Sequence, residues 1–394
     1  VQAIAQPLEA RQVAGPQRRE RLGILLALLL VDRLFPARSV DAIPDVVFAG
    51  RGHSRLLAEG HKQDKREQDA DRSCGHGIVI QYRWRYGSYI DFFAAFRPMA
   101  IATRNPATGE TLKTYLALDN TQVDTVLQQV NTASIGWAAT PIAERTACLK
   151  RAAQQLRTQR DRYAALVTLE MGKPIREAHA EVEKCATGCE FYAQNAERFL
   201  ADEVIATDAG KSYVAYQPLG TLLAIMPWNF PFWQAFRAAA PALAAGNTVL
   251  LKHASNVPQC ALAIEEIFQA NFPANVLRTL LIGPEQAESL IADPRIHAVT
   301  LTGSETAGRC IAAAAGAHLK KSVLELGGSD AFVVLADADL DAAARLAVAS
   351  RFLNGGQSCI AAKRIILLES IAEDFLARFQ QRLGGLKQGD PMRD

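Results

Sequence analysis

Gly246-Asn-Thr-Val-Leu-Leu-Lys252 opens the stretch that decides the fold. An apolar run leaves a Gly-Asn turn and ends on a lysine, as a buried strand does where it meets solvent. A helical segment over 259–270 follows. The chain then reads as strand 276–282, helix 286–292, strand 297–302, helix 306–317 and strand 322–326. Such alternation requires crossover connections, which build a parallel sheet covered by helices on both faces. In these sheets ligands bind beyond the carboxyl ends of the strands, where the polar turns of this chain fall.

Upstream, 220–226 reads as one more apolar strand, behind an alternating segment over 212–218. Amphipathic helices are expected over 119–131, 143–171 and 177–201. The second stops at Gly172-Lys173-Pro174, and Asn105-Pro-Ala-Thr-Gly-Glu110 is a turn cluster. A last unit opens at Ala331-Phe-Val-Val-Leu335.

The 394 residues are 49% hydrophobic with a formal net charge of +2. That length supports two or three domains, and the near-neutral balance argues against a nucleic-acid binder. Seven cysteines stand alone at 74, 148, 185, 189, 260, 310 and 359, with no CxxC pair and no zinc spacing. A scattered set suits a reducing, cytoplasmic setting. The longest apolar run near the start, Leu22–Val31, is too short to span a membrane and follows Arg18, Arg19 and Arg21 like a signal-peptide core. Residues 1–98 carry 13 arginines against 2 lysines and show no sustained period. They are expected to be a leader, disordered or an over-extended reading frame with the true start at Met99.

Chemistry concentrates in a few turns. Leu353-Asn-Gly-Gly-Gln-Ser-Cys359 puts a thiol behind a glycine turn, and Leu324-Glu-Leu-Gly-Gly328 puts a carboxylate on another. A nucleophile and a base suit covalent work on a carbonyl, although most buried cysteines are inert packing. Ile225-Met-Pro-Trp-Asn-Phe-Pro231 holds Asn229 in a loop stiffened by two prolines, where its NH2 could donate to an oxyanion. Leu301-Thr-Gly-Ser304 leads into a helix start, an anion-favouring place whose plainer reading is a Ser304 cap. Lys252 could reach a ribose or phosphate, or could simply be solvated.

Together these segments, in this order, resemble the aldehyde dehydrogenase superfamily over 99–394. The run from Ala224 to Gln234, Lys252-His-Ala254 and Leu324–Asp330 is most similar to bacterial succinate-semialdehyde dehydrogenases. The resemblance implies an α/β fold. A Rossmann-type parallel-sheet NAD(P) domain would occupy 99–326, with helices before it and a hairpin near 203–218. The start of an α/β catalytic domain would occupy 327–394. It implies Cys359 as nucleophile, Glu325 as the base that activates water, and Asn229 with the Cys359 N–H as oxyanion donors. It implies a cofactor site of Ile225, Met226, Pro227, Trp228, Lys252, Ser255, Gly303, Ser304, Gly308 and Leu326. Arg237 would grip a substrate carboxylate, since a guanidinium fork fits one. A second arginine that some members carry is replaced here by Leu353.

Many NAD-using members have a glutamate three residues after the strand-end lysine; here that residue is Ser255, and His253 replaces the usual proline. NADP is therefore expected to be accepted alongside or ahead of NAD. The resemblance further implies a small aldehyde as substrate and a homo-oligomer, while charge, cysteine spacing and hydropathy lead us to expect no nucleic acid, metal or membrane partner. The rival readings are another small aldehyde, a coenzyme A-acylating relative, and an inactive fragment, because family members continue past Asp394.

Overall fold

A computed structural model describes residues 100–393. The expected leader, the Leu22–Val31 run, Cys74 and Met99 lie outside the described residues. The described chain forms two compact units. The larger holds 100–328, 352–359 and 387–393; the smaller holds 329–351 and 360–386.

The larger unit begins with a hairpin, β1 (Ala100–Arg104) and β2 (Thr111–Leu116), around the Asn105–Glu110 turn. There the Asn105 side chain accepts from the Ala107 amide, and Gly109 sits at φ 75°. Four helices follow: α1 (Asn120–Ala139), α2 (Ile142–Thr158), α3 (Arg160–Met171) and α4 (Ile175–Phe199). Asp119 caps α1 in a reciprocal box with Gln122. The single helix expected over 143–171 is two. The chain breaks at Gln159 (φ −110°, ψ 21°), a site with no glycine or proline to signal it. Helix α3 ends on Gly172 in the left-handed region, the cap that glycine alone adopts without strain. A two-residue ladder joins β3 (Glu203–Val204) to β4 (Tyr213–Val214).

The parallel sheet comprises β5 (Thr221–Met226), β6 (Thr248–His253), β7 (Leu277–Thr279), β8 (Ile296–Gly303) and β9 (Lys321–Leu326), in the order β7-β6-β5-β8-β9. Strand β7 is shorter than the 276–282 expected. The crossover helices are α5 (Pro231–Ala244), α6 (Pro258–Asn271), α7 (Pro284–Ala292) and α8 (Glu305–Ala317). Side chains alternate through the sheet. Leu223 and Leu250 enter a core with α1, α7 and α8, whereas Ala224, Met226, Val249 and Leu251 enter the core of α2 to α6. Both faces are therefore covered, which explains why the central strands read as continuous apolar runs. The order reverses between β5 and β8, and sheets of this kind bind ligands beyond the carboxyl ends of the strands at such a switch point.

The smaller unit pairs β10 (Ala331–Val334) in parallel with β11 (Arg364–Leu367). Helices α9 (Leu340–Phe352) and α10 (Glu369–Gly384) supply buried Ala344, Ala347, Phe375 and Phe379. Among the described residues no helix is long and apolar enough to cross a membrane, and no three metal-binding side chains gather.

Candidate active site

The thiol turn lies in the larger unit, with the sheet. Asn354, Gly355 and Gly356 take φ of 61°, 62° and 78° in succession. Three consecutive left-handed residues demand glycine or asparagine, so the Asn-Gly-Gly sequence is the backbone requirement of this turn. It carries Cys359 to an exposed position.

Asn229 is brought to this turn. Its Nδ2 donates to the Gln357 carbonyl at 2.8 Å, and the Asn354 Nδ2 donates back to the Asn229 carbonyl at 2.7 Å. The two loops are cross-tied by a reciprocal amide pair. A carboxamide nitrogen has two protons, and one is used on Gln357. Asn354 is nearly fully buried. The sequence singles out the glycines and the cysteine of this turn and not Asn354, whose partner on the Asn229 loop lies 125 positions away.

Glu325 stands on β9 opposite Thr302 of β8. Arg237 of α5 reaches both: its Nη2 donates to the Thr302 Oγ1 at 3.1 Å, and its Nη1 lies 3.5 Å from the Glu325 Oε1. The expected substrate clamp and the expected base are thus neighbours.

The other strand ends fall where the sheet order places them. Ile225 pairs with Lys252 on one side and Leu301 on the other. Lys252 and Ser255 line one cavity of about 390 Å³ with Asn256, Gly283 and Pro284. That size lies within the range of small-molecule sites. Residues 282–284 and the β1 residues Ile101 and Ala102, which complete the lining, were not read as site residues, because they come from distant segments. Gly303 ends β8, Ser304 follows it, and both lie outside that lining. Ser304 caps α8, its Oγ accepting from the Ala307 amide at 3.2 Å, so the plainer reading of this serine is realised. Gly308 lets α8 approach β9: a Cβ there would come within 2.6 Å of the Leu326 Cδ2. Met226 is buried, Pro227 half-buried and Trp228 exposed in the loop that carries Asn229.

A profile described as the aldehyde dehydrogenase family matches residues 94–394. The chain belongs to the aldehyde dehydrogenase family. It is 58% identical over 294 residues to a Synechocystis protein described as "Probable succinate-semialdehyde dehydrogenase (NADP(+))", covering 74% of this chain and 65% of that protein. It is 50% identical over 297 residues to succinate-semialdehyde dehydrogenase (NADP(+)) 1 of Mycobacterium bovis, with the same coverage. The crystal structure of succinic semialdehyde dehydrogenase from Streptococcus pyogenes in complex with NADP+ matches at TM-score 0.72 and 39% identity. That match covers 74% of this chain and 65% of that one. The chain spans about 65% of the length of these relatives.

In this aldehyde dehydrogenase chain the end of β6 has two titratable neighbours, both drawn down by burial. Burial draws the Lys252 ammonium below the ordinary lysine value, and Glu285 in the first turn of α7 opposes that. His253 is fully enclosed. Its Nε2 meets the Pro231 carbonyl at 2.8 Å and its Nδ1 accepts from the Ala254 amide at 2.9 Å. One nitrogen must be bare and the other protonated, so the ring is neutral. Burial pulls its pKa down to about 4, and the Pro231 hydrogen bond only partly offsets this.

Proposed function

We propose that this chain carries the chemistry of an NADP-accepting succinate-semialdehyde dehydrogenase. The observation that carries the reading is the reciprocal pair between Asn229 and the thiol turn. It sets a carboxamide donor beside the one exposed cysteine described.

The Cys359 thiolate adds to the aldehyde carbon. The oxygen that becomes negative is held by the second Asn229 proton and the Cys359 amide, which act before any reorganisation is needed. A nicotinamide cofactor, held by Lys252 and Ser255, would supply the acceptor for the hydride of that carbon. The product on Cys359 is a thioester, which water cleaves as Glu325 takes its proton, returning the thiol and a carboxylic acid.

The residues present fit an NADP adenosine end. Lys252 brings a positive charge into the cavity it shares with Ser255, and no carboxylate stands at 255 to repel a 2′-phosphate. Arg237 supports a substrate with a terminal carboxylate, through a fork that could exchange Glu325 for the substrate. The relatives, succinate-semialdehyde dehydrogenases that use NADP by description, point the same way.

The test is oxidation of succinate semialdehyde by the full chain with NADP and with NAD, with and without coenzyme A. Free succinate, unaffected by coenzyme A, is expected. Cys359→Ala should abolish turnover while NADP binding persists. Appreciable dehydrogenase activity in that variant would sink the assignment.

A further inference from the structure

Helix α5, which starts the Arg237-bearing crossover, begins without a local cap. Pro231 occupies its first position, and the N-cap residue is Phe230, whose side chain accepts nothing. The free amides are taken by a carboxylate from another helix. The Glu181 Oε1 of α4 accepts from the Phe232 and Trp233 amides, each at 2.9 Å. The Glu181 Oε2 pairs with the Lys173 ammonium. Both side chains are essentially sealed from solvent, at 0% and 1% exposed. The same ammonium sits 4.1 Å from the centre of the Phe230 ring, a cation–π geometry strengthened by desolvation. His253 holds the third residue of the group through the Pro231 carbonyl.

Phe230 and Pro231 directly follow Asn229. A buried ion pair is expensive to desolvate and gives little net stability, so its value lies in specifying one arrangement. Here the arrangement specified is the exit of the Asn229 loop. Nothing in the chemistry at Cys359 needs a lysine so far from solvent.

We propose that Lys173 and Glu181 are positioning residues that set the Asn229 carboxamide for its work on the oxyanion, acting through Phe230 and the first turn of α5. The proposal rests on the dehydrogenase reading for its kinetic arm. Its structural arm stands without it.

The test uses the full chain. Lys173→Met removes the cation and keeps a long apolar side chain. Misplacing a catalytic donor by a fraction of an ångström should lower kcat on the order of tenfold. The KM values for aldehyde and cofactor should change little, because the lost interaction belongs to the transition state. Asn229→Ala alone should cost on the order of 100-fold. In that background Lys173→Met should add less than about twofold, because both changes remove one interaction. Hydrogen exchange at the Phe232 and Trp233 amides should rise in Lys173→Met. Phe230→Leu, which leaves the ion pair whole, serves if Lys173→Met does not fold, and should show the same non-additivity.

A full multiplicative loss in the Asn229→Ala background, or an unchanged kcat, overturns the proposal. An inactive wild type sinks the dehydrogenase reading instead; unchanged amide exchange would then overturn the clamp by itself.

Discussion

His253 is a single residue whose protonation state the fold has already chosen. Its Nδ1 faces the Ala254 N–H, so a proton added there would point at another donor. The folded pKa of about 4 lies below the unfolded value near 6.5. The neutral ring therefore supports the fold fully above the unfolded pKa. That support is lost as pH falls from about 6.5 toward 4, on the order of 3 kcal/mol across the window. Urea unfolding at several pH values between 7.5 and 5 should show wild-type stability falling with acid. His253→Gln, whose amide can still donate to the Pro231 carbonyl, should fall less steeply. Equal slopes would refute this origin. Glu170, raised by burial, pulls in the opposite direction with pH, and comparison between the two proteins cancels it. Residue roles of this kind are hard to read in a sequence. In the sequence His253 is only a replacement for a proline, and Asn354 does not stand out from the glycine turn it opens. Cys359 and Asn229 stand out in the letters because glycine or proline turns surround them, whereas Glu325, expected on a glycine turn, lies within strand β9 just before Gly327 and Gly328.

At the scale of elements, the sheet and the crossover helices α6, α7 and α8 were legible and helix α5 was not. The central strands are apolar throughout because both faces are buried, and turn residues bracket them. Helix α5 starts after Phe230, with no serine, threonine or aspartate to announce it. Helix α6 repeats the device. Its N-cap is Val257, its first residue Pro258, and its Gln259 and Cys260 amides are taken by the two oxygens of Glu170, at 2.9 and 2.8 Å. Capping at a distance leaves no local signal, since the carboxylate sits about ninety positions earlier. Glu170→Ala would strand two buried amides and should cost roughly 2–4 kcal/mol. Glu170→Gln keeps one acceptor oxygen and should cost about half as much. Chemical denaturation of the two variants checks the order; equal losses would mean the carboxylate only fills space. A backbone constraint sits at Gly220, at φ 122°, where a Cβ would press to 2.6 Å on the His297 ring. That ring is fixed by the Thr221 amide, which donates to its Nδ1 at 3.1 Å. Gly220→Ala should therefore destabilise by about 1–3 kcal/mol in the same assay.

For the whole molecule, the arrangement of the sheet decides what the chain can bind. The order reverses between β5 and β8, so Asn229, Lys252 and Ser304 leave neighbouring strands at one end of the sheet. The Lys252 cavity draws on β1, β6 and the start of α7, segments far apart in sequence. A ligand held there ties those segments together and should stabilise the fold by mass action, about 2.7 kcal/mol at a concentration a hundred times its Kd. The two dinucleotides differ by one phosphate, and the cavity presents the Lys252 charge with a neutral Ser255. NADP should therefore raise the melting temperature more than NAD at equal concentration. Ser255→Glu puts a carboxylate beside the proposed place of the 2′-phosphate. It should remove the NADP shift while keeping or enlarging the NAD shift, because a carboxylate can accept from ribose hydroxyls. Lys252→Met should weaken both shifts, and NADP more. These are binding measurements and do not depend on turnover. An NAD shift larger than the NADP shift in the wild type would mean that the cavity reads the ribose and ignores the phosphate.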